Sequence, residues 1–244
     1  MTRAEDFHIV AERQITMGET KPIELRIEVN DQDAVTALVY SASKPKRQGV
    51  TMILGHGAGA NQLSGFMRMV AAGLAERGLD VVTFNFLYSE QGRKVPDPKP
   101  RLEGCYRAVI DHVLGHRSLK KNRLVIGGKS MGGRIGSQVA AMDGANIAGL
   151  VFLGYPLHPP GRPDKLRAEH FKDITAPLLF VQGSRDAFGT PDEIHEATKK
   201  MKLRATFYVV EGGDHSFKVP KSVAPQEVVY EKVMNEIAEW TRGL

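Results

Sequence analysis

The chain has 244 residues, of which 42% are hydrophobic and 25% are charged, and its formal net charge is +5. This composition excludes a disordered or fibrous protein and fits one globular domain, 1–244, with a continuous core. The basic residues are scattered and have no interleaved aromatics and no reading module, so no nucleic-acid partner is expected.

Location and redox state are predicted from the first residues and the cysteine count. The segment MTRAEDFHIVAERQ places charges where a secretory segment needs an unbroken apolar stretch, and no later run is long enough to cross a bilayer. Cys105 is the only cysteine, so no intrachain disulfide can form, and it lies in an apolar helical stretch where a core role is expected. We therefore expect a cytoplasmic protein with no membrane partner.

Short apolar, β-branched runs alternate with segments of helical period along the chain. This pattern predicts an α/β fold with helices on both faces of a mostly parallel sheet. The eight predicted strands are 23–29, 35–41, 50–54, 80–86, 123–127, 149–153, 177–183 and 205–211. The turn-rich segment 30–33 separates the first two, which are expected to form an antiparallel hairpin at one edge of the sheet.

Helical stretches, with apolar residues three and four positions apart, supply the crossovers between the parallel strands. They are predicted at 64–77, 99–115, 131–142, 191–201 and 225–240. The apolar face of the last stretch packs either into the core or against a second copy of the chain, which leaves a homo-oligomer open.

The first chemical signal follows the strand 123–127. The residues Gly128 to Gly132 match the pattern GxSxG, in which a serine sits on a sharp turn between a strand and a helix. Gly128 and Gly132 leave the space that such a strained turn requires. Ser130 is therefore the predicted nucleophile, and the alternative is a glycine-rich turn with an incidental serine.

A serine hydroxyl needs a base, and the base needs an acid that fixes its tautomer. Asp186 follows the strand 177–183 and His215 follows the strand 205–211, so each lies just beyond a predicted parallel strand. Asp186 is alternatively a turn carboxylate or a helix cap, and His215 a loop histidine. Asp214 is the alternative acid, although its position next to His215 makes contact with the ring Nδ1 awkward.

An oxyanion formed at Ser130 needs preorganised N–H donors. Met131 supplies the first, and the loop 55–60 is expected to supply the second, with Ala58 favoured over Gly59. His56 lies in the same loop without a partner at metal-ligand spacing, so we predict that it braces its own loop and that there is no metal site. No phosphate-binding or dinucleotide motif is present in the sequence, and no cofactor is predicted.

Between the sixth and seventh strands, the segment 154–176 is too short for a large cap domain. The site is therefore expected to be open and shaped by the loops 59–66, 87–99, 155–162 and 187–190. The candidate substrate-binding side chains, for which core packing is the alternative, are His56, Phe66, Tyr88, Tyr155, Phe188 and Phe217. Positive charge near the entrance, which would attract anionic acyl compounds, is expected from Arg93, Lys94, Lys129 and Arg134, with solubility as the alternative.

From about residue 50 onward, four segments resemble one branch of the α/β-hydrolase superfamily. They are the elbow GGKSMGGR, the stretches FNFLYSEQGRK and PDPKPRLEG, and the acid loop GSRDAFG. The branch is dienelactone-hydrolase-like and includes testis-expressed protein thirty and subunit three of the NSL chromatin complex. Dienelactone hydrolases proper carry cysteine as nucleophile, where this chain has Ser130.

The resemblance implies an α/β-hydrolase fold with Ser130, Asp186 and His215 as its triad. We predict a serine hydrolase that cleaves an ester, thioester or similar acyl bond of a small molecule. A peptidase of short substrates is an alternative. One member of the branch is a scaffold subunit, so a non-catalytic interaction protein is the competing prediction.

Overall fold

An eight-stranded sheet forms the centre of the structure, a computed structural model that describes residues 21–143 and 146–244. Its strands are β1 Ile23–Glu28, β2 Ala34–Tyr40, β3 Val50–Gly55, β4 Asp80–Phe84, β5 Arg123–Lys129, β6 Ile147–Leu153, β7 Leu178–Gly183 and β8 Ala205–Val210. All eight predicted strands are confirmed. The segment MTRAEDFHIVAERQ, from which no secretory signal was predicted, lies outside the described residues.

The strands are ordered β1-β2-β4-β3-β5-β6-β7-β8. The pairs β1–β2 and β2–β4 are antiparallel, and the other neighbours are parallel, which confirms the predicted edge hairpin. At the hairpin turn, Asn30 Oδ1 accepts hydrogen bonds from the backbone N–H groups of Gln32 and Asp33. This local capping is the reason that asparagine favours turns.

Helices cover both faces of the sheet. They are α1 Gly65–Glu76, α2 Leu87–Glu90, α3 Lys99–Gly115, α4 Met131–Asp143, α5 Pro191–Thr198 and α6 Gln226–Arg242. The five predicted helices are present, and α2 was not predicted because a single turn is too short to show an apolar period. None of the helices in the described ranges has the length and apolar composition needed to cross a membrane.

The two sides of the sheet have separate cores. Buried side chains of α1 and α6 pack on one face, and those of α3, α4 and α5 pack on the other. On α6, Val233, Met234 and Ile237 are buried against the sheet and α1. The apolar face of this helix is therefore covered within the chain, and the homo-oligomer stays a prediction. Cys105 is buried on α3, which confirms its core role, and burial raises the pKa of its thiol to about 12.

The chain reverses direction across the sheet at β3. From β3 it continues to β4 on one side, and it later returns to β5 on the other side of β3. Because α1 after β3 and α4 after β5 pack on opposite faces, their loops separate beyond the carboxyl ends of the two strands. Such a switch point is where open α/β sheets bind ligands. Ser130 and the loop 55–60 meet there.

Between β6 and β7 the only helical segment is one short 3-10 helix, Glu169–Asp173. The described residues contain no large cap over the carboxyl end of the sheet, as predicted.

Candidate active site

Ser130 sits on a strained turn between β5 and α4. Its φ of 50° is in the left-handed region, which a residue with a side chain rarely adopts. The turn is held from both ends, since the Ser130 N–H donates to the Leu153 carbonyl at 3.1 Å and the Ser130 carbonyl accepts from the Arg134 N–H at 3.1 Å. The second bond is the first hydrogen bond of α4, so Ser130 lies at the N-terminus of that helix.

The glycines of the elbow are required by close backbone contact with β3. A Cβ on Gly132 would lie 2.1 Å from the Gly55 carbonyl oxygen, and one on Gly128 would lie 2.2 Å from the same atom. Gly128 also has a φ of 147°. Any side chain at either position would push β3 and α4 apart, which agrees with the space that the sequence pattern predicts.

Tyr106, on α3, braces the sheet just before the elbow. Its hydroxyl lies 2.7 Å from the Gly127 carbonyl oxygen, 3.0 Å from the Gly127 nitrogen and 3.2 Å from the Ile53 carbonyl oxygen. The side chain is fully buried. It therefore connects β3 and β5 where their loops diverge around the site, a contact that sequence reasoning missed.

Ser130, His215 and Asp186 form a continuous chain of hydrogen bonds. The Oγ of Ser130 lies 2.9 Å from His215 Nε2, and His215 Nδ1 lies 2.8 Å from Asp186 Oδ2. Because a carboxylate only accepts, Nδ1–H donates to Asp186, which leaves Nε2 free to accept the serine proton. The Asp186 side chain has no exposed surface and the His215 side chain is 20% exposed, so the acid is buried beneath the base.

Asp186 is held by further donors. Gln182 Nε2 donates to Asp186 Oδ2 at 2.8 Å, and the Phe188 N–H donates to Oδ1 at 2.8 Å. The Gln182 amide is fixed in turn, since its Nε2 donates to the Gly189 carbonyl at 2.7 Å and its Oε1 accepts from the Tyr155 N–H at 2.7 Å. The helix cap proposed as an alternative for Asp186 is provided by Thr190 instead.

The alternative acid, Asp214, has a different task. Its Oδ1 accepts from the N–H groups of Ser216 and Lys218 at 2.8 and 2.9 Å, which closes the turn that carries His215. The residue is exposed, and its carboxylate makes no hydrogen bond to the imidazole. Asp214 therefore shapes the loop and does not orient the ring.

A second serine–histidine contact lies elsewhere and lacks these properties. Ser137 Oγ is 2.7 Å from His170 Nε2, but Ser137 is completely buried and its hydroxyl also lies 2.7 Å from the Arg134 carbonyl oxygen. Within the described residues, no carboxylate bonds the other ring nitrogen of His170. This pair is a hydrogen bond between a buried serine and a partly exposed histidine, with no acid in the described ranges to orient the ring.

The loop 55–60 lies directly beside Ser130. A Cβ on Gly57 would be 3.8 Å from the Ser130 Cβ, so the loop backbone faces Ser130. Among residues 21–143 and 146–244, nothing accepts a hydrogen bond from the N–H groups of Met131 and Ala58. The backbone of Gly59 bonds the Tyr88 hydroxyl, so Met131 and Ala58 are the unpaired members of the three predicted oxyanion donors.

His56 braces that loop. Its Nδ1 lies 2.8 Å from the Gly57 carbonyl oxygen, and the Phe86 N–H donates to its Nε2 at 3.2 Å, which fixes the neutral Nδ1–H tautomer. Burial lowers the pKa of His56 to about 4. With no exposed surface and both nitrogens bonded to backbone, His56 is not available to a substrate, which corrects its assignment as a substrate-binding residue.

Three further predicted substrate contacts are also wrong in this structure. Tyr88, Tyr155 and Phe217 are at most 1% exposed and pack in the two cores, so a molecule arriving from solvent does not touch them. The physical reason is that aromatic residues near strand ends supply core area as readily as pocket area. Phe188 and Phe66 are partly exposed, and the Phe188 ring centroid lies 4.3 Å from that of His215.

The predicted basic entrance is corrected in part. The Lys129 ammonium points inward and donates to the His215 carbonyl, and Arg93 pairs with Asp97 at 2.7 Å. Both cationic groups are therefore paired with acceptors of the protein itself.

Two surface depressions, of about 490 and 450 Å³, are lined by residues of α6 and by residues around His170, and neither is lined by a triad residue. The part of the chain that the structure describes contains no group of three or more potential metal ligands.

Gln182 and Gly154 are site residues that sequence reasoning missed. Gln182 was detectable, because it is a polar side chain in the otherwise apolar strand LLFVQG. Gly154 has a φ of 70°, and a Cβ there would lie 3.0 Å from Lys129 Nζ and 3.4 Å from His215 Nδ1. Nothing in the sequence marks it, since that proximity arises only in the folded chain.

A mostly parallel sheet with a serine on a strand–turn–helix elbow, bonded to a histidine and a buried carboxylate, defines the class of α/β hydrolases. Residues 48–242 match the family described as alpha/beta hydrolase domain. The chain belongs to this family.

Several solved structures share the fold. One is XC6422 from Xanthomonas campestris, an α/β serine hydrolase without a lid, with 20% identity and a TM-score of 0.70 over 91% of this chain and 96% of that one. Dienelactone hydrolase from Anabaena variabilis has 17% identity and a TM-score of 0.71, over 90% and 96% of the two chains. Est1E from Butyrivibrio proteoclasticus has 17% identity and a TM-score of 0.65, over 88% and 99%.

These likenesses confirm the predicted α/β-hydrolase fold, and one of the proteins that share it is a dienelactone hydrolase. The finer resemblance to testis-expressed protein thirty and to the NSL complex subunit stays a prediction.

Proposed function

We propose that this protein is a serine hydrolase that cleaves an ester or thioester bond of a small molecule through an acyl-enzyme. The single observation that carries the proposal is the hydrogen-bonded chain from Ser130 Oγ through both ring nitrogens of His215 to Asp186, with distances of 2.9 and 2.8 Å. A scaffold needs no such chain, and it needs no strained serine at a helix N-terminus.

In the first step, Ser130 Oγ attacks the acyl carbon while His215 Nε2 takes the hydroxyl proton. The imidazolium that forms is stabilised by the carboxylate of Asp186. The negative charge on the carbonyl oxygen is accepted by the N–H groups of Met131 and Ala58, with Gly59 as the alternative second donor. Each such donor contributes about 3 kcal/mol to the stability of the transition state.

In the second step, the tetrahedral intermediate collapses and the C–O or C–S bond to the leaving group breaks. His215 gives its proton to the departing alcohol or thiol. Water then attacks the acyl-enzyme, with His215 as its base, and the acid product leaves Ser130 free. The partly exposed rings of Phe188 and Phe66 are the remaining candidates for apolar contact with the substrate.

The test is labelling with a fluorophosphonate probe, which reacts with an activated serine. We expect fast labelling of the wild type, none of Ser130→Ala, and unchanged labelling of Ser137→Ala, the control that removes the hydroxyl of the other serine–histidine contact. Wild-type protein that resists the probe, or a Ser130→Ala variant that labels normally, contradicts the proposal. Hydrolysis of a 4-nitrophenyl ester against that of a peptide amide then separates an esterase from a peptidase.

A further inference from the structure

A partly buried cation lies directly behind the imidazole of His215. Lys129, the last residue of β5, precedes Ser130, yet its side chain turns away from solvent. Its Nζ donates to the His215 carbonyl at 2.6 Å and lies 5.7 Å from the centroid of the Phe217 ring. A Cβ on Gly154 would contact both this Nζ and His215 Nδ1, so the two nitrogens border one small space that a glycine leaves open.

The charged groups that face Lys129 come from the two neighbouring loops. They are Asp186 after β7 and Asp214 after β8, together with the titratable ring of His215. Burial lowers the pKa of Lys129 to about 8, while both carboxylates act in the opposite direction. At neutral pH the side chain is therefore mostly an ammonium, close to the base.

The loop that carries His215 has no regular secondary structure and contains a strained residue. Phe217 has a φ of 61°, in the left-handed region, and such a conformation persists only when surrounding contacts hold it. The bond from Lys129 joins this loop to the strand that carries Ser130. A base and a nucleophile placed on separate loops need a connection of this kind to keep their separation fixed.

We infer that Lys129 is a positioning residue for His215, which fixes the imidazole between Ser130 and Asp186 through its hydrogen bond to the His215 carbonyl. This inference rests on the proposed function. It assigns a task to the second residue of the GxSxG pattern, and that task concerns the base and not the binding of an anionic substrate.

The test compares Lys129→Met, which removes both the donor and the charge, with Lys129→Arg, which keeps both. Lys218→Met, an exposed lysine of the same loop, is the matched control. The readouts are kcat and KM for a 4-nitrophenyl ester, and the urea unfolding transition, which establishes that each variant is folded.

For Lys129→Met we expect kcat to fall by about 10- to 100-fold, because a small displacement of the base is enough to lose that much rate. KM should change by less than threefold. Lys129→Arg should recover most of kcat, because the guanidinium can donate to the same carbonyl, and Lys218→Met should match the wild type.

Two results overturn the inference while leaving the proposed function intact: wild-type kcat in folded Lys129→Met, or a reduced kcat accompanied by an equally large rise in KM, which indicates altered substrate binding and not a displaced base. If Lys129→Met does not fold, a Lys129→Arg variant with wild-type stability but the activity loss expected of Met also overturns it. A wild-type protein that neither hydrolyses esters nor labels at Ser130 refutes the proposed function, and the inference falls with it.

Discussion

Gln182 holds Asp186 in place. The Gln182 Nε2 lies 2.8 Å from Asp186 Oδ2, and both side chains are buried at the end of β7. The same carboxylate oxygen accepts from His215 Nδ1 at 2.8 Å, so one amide fixes the acid that orients the base. A buried amide is suited to this task because it donates to the carboxylate without adding a charge.

Replacing Gln182 with Met keeps the side-chain volume but removes every hydrogen bond of the amide. Asp186 Oδ2 loses a donor, and the Tyr155 N–H and Gly189 carbonyl are left unpaired in the core. We expect the free energy of unfolding to fall by about 3 kcal/mol and kcat to fall by about tenfold, measured by urea titration and steady-state kinetics. A variant with unchanged kcat would show that His215 and the Phe188 N–H suffice to hold Asp186.

Asp186→Asn should abolish turnover while preserving the fold. In the variant, the Asn Oδ1 is expected to keep accepting the hydrogen bond from the Phe188 N–H, so the Asn NH₂ group faces His215. His215 Nδ1 must then accept, so Nε2 carries the proton and can no longer take one from Ser130. We expect kcat to fall by about 10³- to 10⁴-fold. Asp214→Asn is the control, and a comparable loss there would make Asp214 the orienting acid.

Gly132→Ala should destabilise the protein strongly, because the added Cβ meets the Gly55 carbonyl oxygen at 2.1 Å and neither backbone can yield. We expect a loss of at least about 3 kcal/mol in the free energy of unfolding. Gly104→Ala is the matched control, since Gly104 lies within α3 and a Cβ there meets nothing within 4 Å. That substitution should stabilise by up to about 1 kcal/mol, and similar thermal unfolding of the two variants would contradict the elbow packing.

Lowering the pH should destabilise the folded protein, because burial makes His56 harder to protonate in the folded state than in the unfolded chain. Its folded pKa, lowered to about 4, is below the ordinary value of 6.5, so the unfolded chain takes up the proton first as pH falls. Stability is therefore lost between about pH 6.5 and 4, with a limiting slope of about 1.4 kcal/mol per pH unit. His170, whose pKa burial also lowers to about 4, adds a loss of the same sign.

The His56 contribution is measured by urea titrations from pH 7 to 4.5. His56→Asn should lose stability less steeply with acid than the wild type, although it is less stable at pH 7. His195→Asn, at an exposed position on α5, should keep the wild-type slope. Parallel slopes for the wild type and His56→Asn would mean that His56 does not titrate on unfolding in this range.

Several features were predictable from sequence because they depend on local order along the chain. Buried strands are predicted by two apolar runs, VTMIL before the loop at Gly55 and LVIG before Gly128. The elbow is predicted by the spacing of Gly128, Ser130 and Gly132. The substrate-facing aromatics were not predictable. Tyr88 and Phe217 follow strands just as Phe188 does, and only packing decides which ring meets solvent.

The sequence alone determined the α/β architecture, the strand–turn–helix setting of Ser130, and the order in which Asp186 and His215 follow their strands, because periodicity and turn chemistry act over a few residues. The tertiary structure decided that Gln182 holds Asp186, that Lys129 turns inward to the His215 carbonyl, and that Tyr88 and Phe217 are buried. These contacts join residues from different strand ends, or depend on which side chains the packed sheet buries. No local pattern encodes either outcome, since both arise when the strands assemble side by side.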